Sequence, residues 1–537
     1  MSNNGETALP EGWEEVAIQD IFAPLDGGRT LHQGWSPQCE KVPSPTDNEW
    51  GVLRTTAIQP SRFLPEYNKR LPKGLEPRPQ IEVTSGDILI TCAGPRVRCG
   101  VACLVRTTRP RLMMSGKMYR FRVPEQIDPR FIEAYLQTSE ASAAIDKMKT
   151  GGSDSGLNLT HDRFRQLRVR IAPLNEQRRI VDELEELFSD IDVGVAALER
   201  VRDKLKLYRA SVLKASVQGA LTEDWRAKHT KTEPASALLA RILVERRRRW
   251  EEDQLAKFKK AEMEPPKNWK AKYREPAPPD TSDLPSLPTG WCWSRLEQLL
   301  FEIEAGKSFT CIPRPAQASE WGIIKVSAMS WGAFDEAENK AVPPNHRIDP
   351  YYEIKRGDLL LSRANTFELV GASVLVGQCR PQLLLSDKSM RLLHTNLIDK
   401  SWLKTVLSSP LIRRELSRKS TGTKEGMRNI SQESVLDTVI PLAPAAESAA
   451  LVDAVEDQLS VIDHLESDIA AKLSESQSLR QSILRHAFTG KLVAQNKKDE
   501  PASELLKRIA AERAERARQV RPARKVQSGR PKKAKKL

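Results

Sequence analysis

Cysteine is scarce and unpatterned in this chain. Cys39, Cys92, Cys99, Cys103, Cys292, Cys311 and Cys379 are scattered over 537 residues without one CxxC pair. A zinc site is therefore not expected, and no disulfide framework is indicated. Histidine is equally sparse, at seven residues, none spaced for metal. No run of 18 apolar residues occurs, and the opening Met1-Ser2-Asn3-Asn4-Gly5 is polar. Neither a membrane span nor a signal peptide is expected, and a reducing cytoplasm is the expected location.

Catalytic signatures are missing too. Gly306-Lys307-Ser308 echoes the end of a phosphate-binding loop, but Phe301 stands where that loop requires glycine. Asp349 with Glu353-Ile354-Lys355 mimics a metal-nuclease triplet, yet the matching Ile81-Glu82-Val83-Thr84 has no lysine. A turn before a strand is the simpler reading. Asp349-Pro350-Tyr351-Tyr352 comes nearest to the Asn-Pro-Pro-aromatic motif of an adenine methyltransferase and lacks its second proline. Catalysis by this chain is not expected.

Positive charge is plentiful but unevenly placed. From Lys497 onward there are fifteen Lys/Arg against five Asp/Glu, so this tail holds about +10 of the net +14. A tail ending in Arg530-Pro531-Lys532-Lys533-Ala534-Lys535-Lys536 stays solvated or binds phosphates without sequence preference.

What the chain does have is a duplication. Gly51-Val52-Leu53-Arg54 returns as Gly322-Ile323-Ile324-Lys325, and Gly86-Asp87-Ile88-Leu89-Ile90-Thr91 as Gly357-Asp358-Leu359-Leu360-Leu361-Ser362. Tyr208-Arg209-Ala210-Ser211-Val212-Leu213 returns as Leu479-Arg480-Gln481-Ser482-Ile483-Leu484, always 271 residues on. Leu9-Pro10-Glu11-Gly12-Trp13 and Leu287-Pro288-Thr289-Gly290-Trp291 open the two copies. A repeat this long is a whole folding unit, not a solenoid module. Two fused copies should pack about a pseudo-twofold axis.

Each copy reads as mixed α/β. Ile88-Leu89-Ile90 and Leu359-Leu360-Leu361 predict buried strands launched from Gly-Asp turns, and Phe131–Lys149 and Ser401–Lys419 predict helices. A long amphipathic helix follows in each. In the first, Ile180, Leu184, Leu187, Ile191, Val195 and Leu198 begin a stripe at spacings of three and four; Leu451, Val455, Leu459 and Ile462 begin the second. Pro173 and Pro444 suit their starts, Gly219 and Gly490 their ends. Two such helices of about 42 residues, roughly 60 Å, are most simply an antiparallel spacer. Beyond them, Glu233-Pro234-Ala235-Ser236-Ala237-Leu238-Leu239 returns as Glu500-Pro501-Ala502-Ser503-Glu504-Leu505-Leu506. The first block leads through the basic run Arg246-Arg247-Arg248-Arg249 into a proline-rich linker.

This order of parts resembles the specificity subunit of type I restriction-modification systems. Pro173-Leu174-Asn175-Glu176-Gln177-Arg178-Arg179-Ile180 resembles the family's helix start. Gly219-Ala220-Leu221-Thr222-Glu223-Asp224-Trp225-Arg226 and Ala487-Phe488-Thr489-Gly490-Lys491-Leu492 resemble its helix exits. The Glu-Pro-Ala-Ser blocks are typical, as are the loops from Thr150 to Leu159 and Thr421 to Ile430. The second helix start departs from pattern, because Ser448 replaces the usual glutamine.

The resemblance implies an α/β protein with two target-recognition domains at 1–172 and 286–443 and two conserved long helices at 173–226 and 444–492. A basic helical segment and linker fill 227–285, and a basic tail fills 493–537. It implies double-stranded DNA as ligand, a bipartite asymmetric target with one half-site per domain, and no catalysis or cofactor in this chain. Two methyltransferase subunits would bring S-adenosylmethionine, and two translocating nuclease subunits could add ATP and Mg²⁺. Forked donors and acceptors read base edges, while lysine, arginine and backbone amides hold phosphates. The matched loops offer Arg54 with Lys325, Lys117 with Lys388, and Arg96 and Arg98 with Arg363 and Asn365. The closing loops offer Ser153 and Asn158 in one copy, and Lys424, Arg428 and Asn429 in the other. A coiled-coil adaptor gripping nucleic acid through its tail is the alternative, and a nuclease using Glu353 and Lys355 comes third.

Overall fold

The structure, a computed structural model, describes residues 9–25, 28–330, 332–424 and 426–519. The opening residues and the Arg530–Lys536 run lie outside them. The chain forms two compact units: Met1–Leu198 with Ala471–Leu537, and Glu199–Ala470. No described helix is long and apolar enough to cross a membrane.

In the first unit, a four-stranded antiparallel sheet has the order His32–Gln33, Met118–Phe121, Ile88–Thr91, Ala102–Leu104. Ile88 and Ile90 face one core with Phe121, Phe131 and Tyr135. Leu89 faces a second core with Val52, Leu112 and Met118. The strand is buried on both sides, which is why its apolar run is continuous rather than alternating. Burial pushes the Cys92 thiol up to about 12, so it packs as a small apolar group.

Two smaller sheets flank the first. Gly51–Leu53 lies between Leu112–Met113, parallel, and Asn68–Arg70, antiparallel. Leu157–Leu159 pairs with Ala93–Gly94 and Lys149–Thr150. Glu14–Ala17 pairs with Arg168–Ile171 and ties the start of the domain to its end.

The second unit repeats this plan. Leu300–Ala305, Ser389–His394, Leu359–Ser362 and Ser373–Leu375 form its main sheet. Gly322–Ile324 lies between Asn339–Ala341 and Leu383–Leu384, and Met427–Asn429 between Ala364–Asn365 and Thr421–Lys424. Leu359 and Leu361 face one core and Leu360 the other. Trp402, 1% exposed, packs edge-on to Trp291 at 5.7 Å; truncating it to alanine should cost about 3–5 kcal/mol.

The expected helices at 131–149 and 401–419 are each two helices, Pro129–Leu136 with Ser139–Met148 and Lys400–Ser408 with Pro410–Lys419. Thr138 is extended (ψ 149°), and its hydroxyl caps the second helix at Ala141 N–H. In the other copy Pro410 occupies the first helical turn and holds Ser409 extended (ψ 145°).

The long helices span Leu174–Val217 and Ala445–Ala487. Each starts directly after its proline, and each is followed by a left-handed glycine, Gly219 and Gly490, both at φ 68°. Within the first unit, Ile180 and Leu184 share a core with Leu484 and Phe488, and Arg480 pairs with Asp192 and stacks over Phe188 at 4.7 Å. Within the second, Val217 shares a core with Leu451, and Arg209 pairs with Asp463 and with Glu466 at 3.0 Å. Residue numbers rise on one helix as they fall on the other, so the course is antiparallel in both units. The two Arg–Asp pairs are one interaction, duplicated at the repeat spacing.

The Glu-Pro-Ala-Ser blocks open helices that complete these cores. Ala235, Leu238 and Ile242 of helix Ala235–Lys260 belong to the second unit's core. Ala502, Leu505 and Ile509 of helix Ala502–Gln519 belong to the first's. The backbone latch is the same: Ala235 N–H donates to Gly290 carbonyl at 2.7 Å, and Ala502 N–H to Gly12 carbonyl at 2.9 Å. The C-terminal helix thus finishes the first domain, which explains why the Gly-Trp signature opens each copy.

Candidate nucleic-acid interface

The Gly-Asp turns that launch the central strands also anchor the surface loops. Gly86 and Gly357 adopt φ 88° and 90°, and the next residue turns its carboxylate inward. Asp87 accepts from Thr84 N–H at 2.8 Å and Asp358 from Lys355 N–H at 2.9 Å. At the far end of the same strands, Lys117 carbonyl accepts from Cys92 N–H, and Lys388 carbonyl from Arg363 N–H, both at 2.8 Å. That bond fixes the backbone and leaves each lysine side chain exposed.

In the second unit this construction gathers five of the expected residues. An open cleft of about 600 Å³ is lined by Arg363, Asn365, Lys388 and Asn429. A neighbouring cleft of about 620 Å³ is lined by Lys325, Lys340 and Phe309, and shares Val326, Asp387 and Lys388 with the first. Arg363 makes no side-chain hydrogen bond or ion pair within the described residues. Asn365 Oδ1 accepts from Thr366 N–H at 2.9 Å, so one of its faces shapes the turn. Lys325 Nζ lies 3.4 Å from Glu338. Lys424 ends its strand, and its side chain lies outside the described residues. Arg428 is engaged locally: Nε donates to Ser420 Oγ at 3.2 Å, Nη1 to Gly422 carbonyl at 2.9 Å, and the guanidinium lies 5.6 Å from the Phe367 ring.

The first unit arms the same loops differently. Arg96, at the position of Phe367, bridges Asp146 at 2.8 Å and Asp154 at 3.0 Å. Those hydrogen bonds hold its pKa above the ordinary value. Arg98 donates to Gln59 Oε1 at 3.1 Å and to the carbonyls of Thr55 and Ile58 at 2.5 and 2.7 Å; its burial lowers its pKa. Both arginines shape their loop. Arg54 is exposed, with one 3.3 Å bond to Lys41 carbonyl. Ser153 pairs with Ser155 at 3.0 Å. Asn158 is exposed in the middle of its strand, opposite Thr150 and Ala93.

One matched pair escaped the sequence reading. Lys69 and Lys340 hold the exposed centre of equivalent strands, each after a buried asparagine. Asn68 Oδ1 accepts from Ser44 N–H and Asn339 Oδ1 from Ala316 N–H, both at 2.8 Å. The signal was an Asn-Lys pair repeated at the 271-residue spacing.

The catalytic decoys have structural work. Glu353 Oε1 accepts from Gln382 N–H at 2.7 Å and Glu82 Oε1 from Arg111 N–H at 2.5 Å. Gln382 and Arg111 are left-handed, φ 64° and 60°, so both glutamates brace the same strained turn. A Cβ at Gly306 would come within 2.2 Å of Leu385 carbonyl, so close backbone approach, not phosphate, requires that glycine. Among the described residues no group of three or more His, Cys, Asp or Glu is placed to hold a metal.

The fold and its surfaces define a duplicated recognition scaffold: one frame built twice, with different side chains on equivalent loops. Residues 10–194 match the type I restriction modification DNA specificity domain. The chain is 38% identical over 185 residues to the EcoEI specificity subunit of Escherichia coli, an alignment spanning 34% of this chain and 30% of that one. It is 24% identical to the EcoKI specificity subunit of Escherichia coli K12, over 94% of this chain and 96% of the relative. A solved chain from a study of assembly and conformational transition in a type I restriction-modification system shares the fold, with a TM-score of 0.56 at 17% identity. It covers 90% of this chain and 100% of that one. Over most of its length the chain is thus similar to type I restriction-modification specificity subunits, and residues 10–194 match their DNA specificity domain.

Proposed function

We propose that this chain is the DNA sequence-specificity subunit of a type I restriction-modification complex in the cytoplasm, reading a split, asymmetric target with one half-site per recognition domain. The observation that carries this is the pairing of identical frames with unlike loops: Arg96 salt-bridged to Asp154 at one place, Phe367 beside Arg428 at the other. A frame kept constant while its exposed side chains diverge suits two readers of two sequences. Arg363, Asn365 and Asn429 read bases in the second half-site, with Lys325, Lys340, Lys388 and Lys424 on phosphates. Asn158 and Ser153 read in the first, with Arg54, Lys69 and Lys117 on phosphates, while Arg96, Arg98 and Arg428 position the loops. The exposed faces of the long helices dock two methyltransferase subunits, which bring S-adenosylmethionine; two nuclease subunits using ATP and Mg²⁺ complete a restricting complex.

Single-molecule methylomes of cells with and without this chain, both expressing its methyltransferase partner, test the reading. One split motif that vanishes with the chain is expected; identical methylomes overturn it. If the long helices set the gap, four residues inserted at Val195 add about 6 Å of helix. At about 3.4 Å per base pair, the gap should then lengthen by one or two pairs. The adaptor alternative needs a truncation starting at Val520, because cutting at Lys497 would strip Ala502, Leu505 and Ile509 from the first core. Target preference should survive the Val520 truncation.

A further inference from the structure

The positive charge is densest outside the recognition domains, which hold about +3 each over residues 1–172 and 286–443. Arg246–Arg274 holds eleven Lys/Arg against five Asp/Glu, about +6, and the residues from Lys497 onward hold about +10. Everything else in the chain sums to about −2 of the net +14. A protein that grips duplex DNA gains much of its affinity from phosphate neutralisation, and the short Arg246–Arg274 segment carries about twice the net charge of either whole head.

The 246–274 segment is built rather than loose. The helix Ala235–Lys260 is anchored by Ala235, Leu238 and Ile242. Beyond Ile242 it carries no fully buried residue. Its basic middle is held to the second recognition domain at two points: Arg246 Nε donates to Leu300 carbonyl at 3.0 Å, and Arg249 lies 4.2 Å from the Phe301 ring. Left-handed Glu262 (φ 51°) closes the helix, with Met263 N–H donating to Phe258 carbonyl at 3.0 Å. The chain then folds back. Trp269, 9% exposed, stacks on Trp250 at 5.9 Å and meets Phe258 edge-on at 6.1 Å, while Tyr273 packs on Trp250 at 5.3 Å.

This aromatic staple fixes the cations in place. Arg247 and Arg248 face Glu251 and Glu252 at 3.3 and 3.9 Å. Lys257, Lys259, Lys260, Lys267, Lys272 and Arg274 are exposed and form no ion pair among the described residues. Lysines in a last helical turn answer the helix dipole, which accounts for the first three only. Lys267, Lys272 and Arg274 lie on the returning segment.

We propose that Arg246–Arg274 is a phosphate-binding arm that holds duplex DNA without reading it, supplying the salt-sensitive share of affinity to a subunit whose heads supply specificity. The inference rests on the DNA-binding function proposed above. The test uses the full-length chain assembled with its methyltransferase subunits, titrated with a random-sequence duplex and with the target duplex over a range of salt. Its variant is Lys257→Gln, Lys260→Gln, Lys267→Gln and Lys272→Gln together, all exposed positions. The slope of log affinity against log salt should shrink by up to about 0.9 for each phosphate no longer neutralised, with both duplexes weakened by the same factor. An unchanged slope overturns the arm. So does an unchanged slope with loss of the methyltransferase subunits on purification, which would make the surface a docking site for an acidic protein face. A wild-type complex with a steep slope but no preference for the target would instead overturn the specificity function and leave the arm standing.

Discussion

The two copies bury the same arginine and surround it with opposite charge. Arg120 and Arg391 are 4% and 7% exposed at equivalent places. In the first copy two arginines share one carboxylate: Asp87 lies 2.6 Å from Arg122 and 3.4 Å from Arg120, which also lies 3.3 Å from His32 and donates to the Gln80 carbonyl at 3.1 Å. In the second, two carboxylates share one arginine: Glu304 at 2.6 Å and Asp358 at 3.0 Å from Arg391. Both arginines clasp the carbonyl of the glutamate that braces the left-handed turn, Glu82 or Glu353. Duplication preserved the task and let the partners drift. What must be held is the left-handed turn; which group neutralises the arginine is free.

That difference predicts a crossover. Arg391→Ala strands two carboxylates and should cost about 3–5 kcal/mol. Arg120→Ala leaves Asp87 with Arg122 and should cost roughly 1–3 kcal/mol. For the aspartates the order reverses, since Asp87→Ala strands a buried arginine while Asp358→Ala leaves Arg391 with Glu304. Hydrogen exchange of the Ile88–Thr91 and Leu359–Ser362 amides reads each copy separately. The same order in both series would show that the partners are not what differs.

The helix starts give a second, smaller contrast. Trp13 Nε1 donates to Glu176 at 3.1 Å and Trp291 Nε1 to Glu447 at 2.8 Å. Glu447 also takes Thr222 at 2.7 Å and the Arg226 guanidinium, whereas Glu176 has, among the described residues, only a 3.5 Å hydrogen bond from Gln495 besides. Glu447→Ala should cost about 3 kcal/mol, leaving Arg226 half-buried and unpaired, and Glu176→Ala about 1 kcal/mol. Thermal unfolding of the two variants decides this; equal destabilisation would remove the distinction.

The smallest effect concerns pH. Burial holds the Glu176 carboxyl above its ordinary value of 4.5. Its folded form therefore binds a proton more readily than its unfolded form, and its contribution to stability falls as pH rises from 4.5 through the raised value. Glu176→Gln keeps an acceptor for Trp13 and removes that slope. The gap in melting temperature between variant and wild type should widen in the variant's favour as pH rises toward neutrality; a constant gap would mean the carboxyl titrates normally.

Much of the frame was legible because it was written twice. Pro173 and Pro444, with Gly219 and Gly490, mark both long helices at their ends, where backbone chemistry is local. The break between the paired short helices was legible in one copy only: Pro410 forces Ser409 extended, while Thr138 caps its helix with no proline to announce it. The small sheets had no signal, since strands such as Ala93–Gly94 and Leu112–Met113 are too short to show a period. At the surface, charge could be read but not its engagement. Arg96, Arg98 and Arg428 look like readers in sequence, and their donors are spent on groups such as Asp154, Thr55 and Ser420. Such pairings depend on loops brought together only by the fold.

In the proposed function each copy reads its own half of the target. The most direct test compares the single-molecule methylome of cells carrying the wild-type chain with that of cells carrying Arg363→Ala and Lys388→Ala. Removing one base-reading side chain is worth about 1–3 kcal/mol of discrimination, enough to relax a half-site. One half of a split motif should then degenerate, with the other half and the gap unchanged. Relaxation of both halves, or an unaltered motif at full expression, would show that the two copies do not divide the target between them.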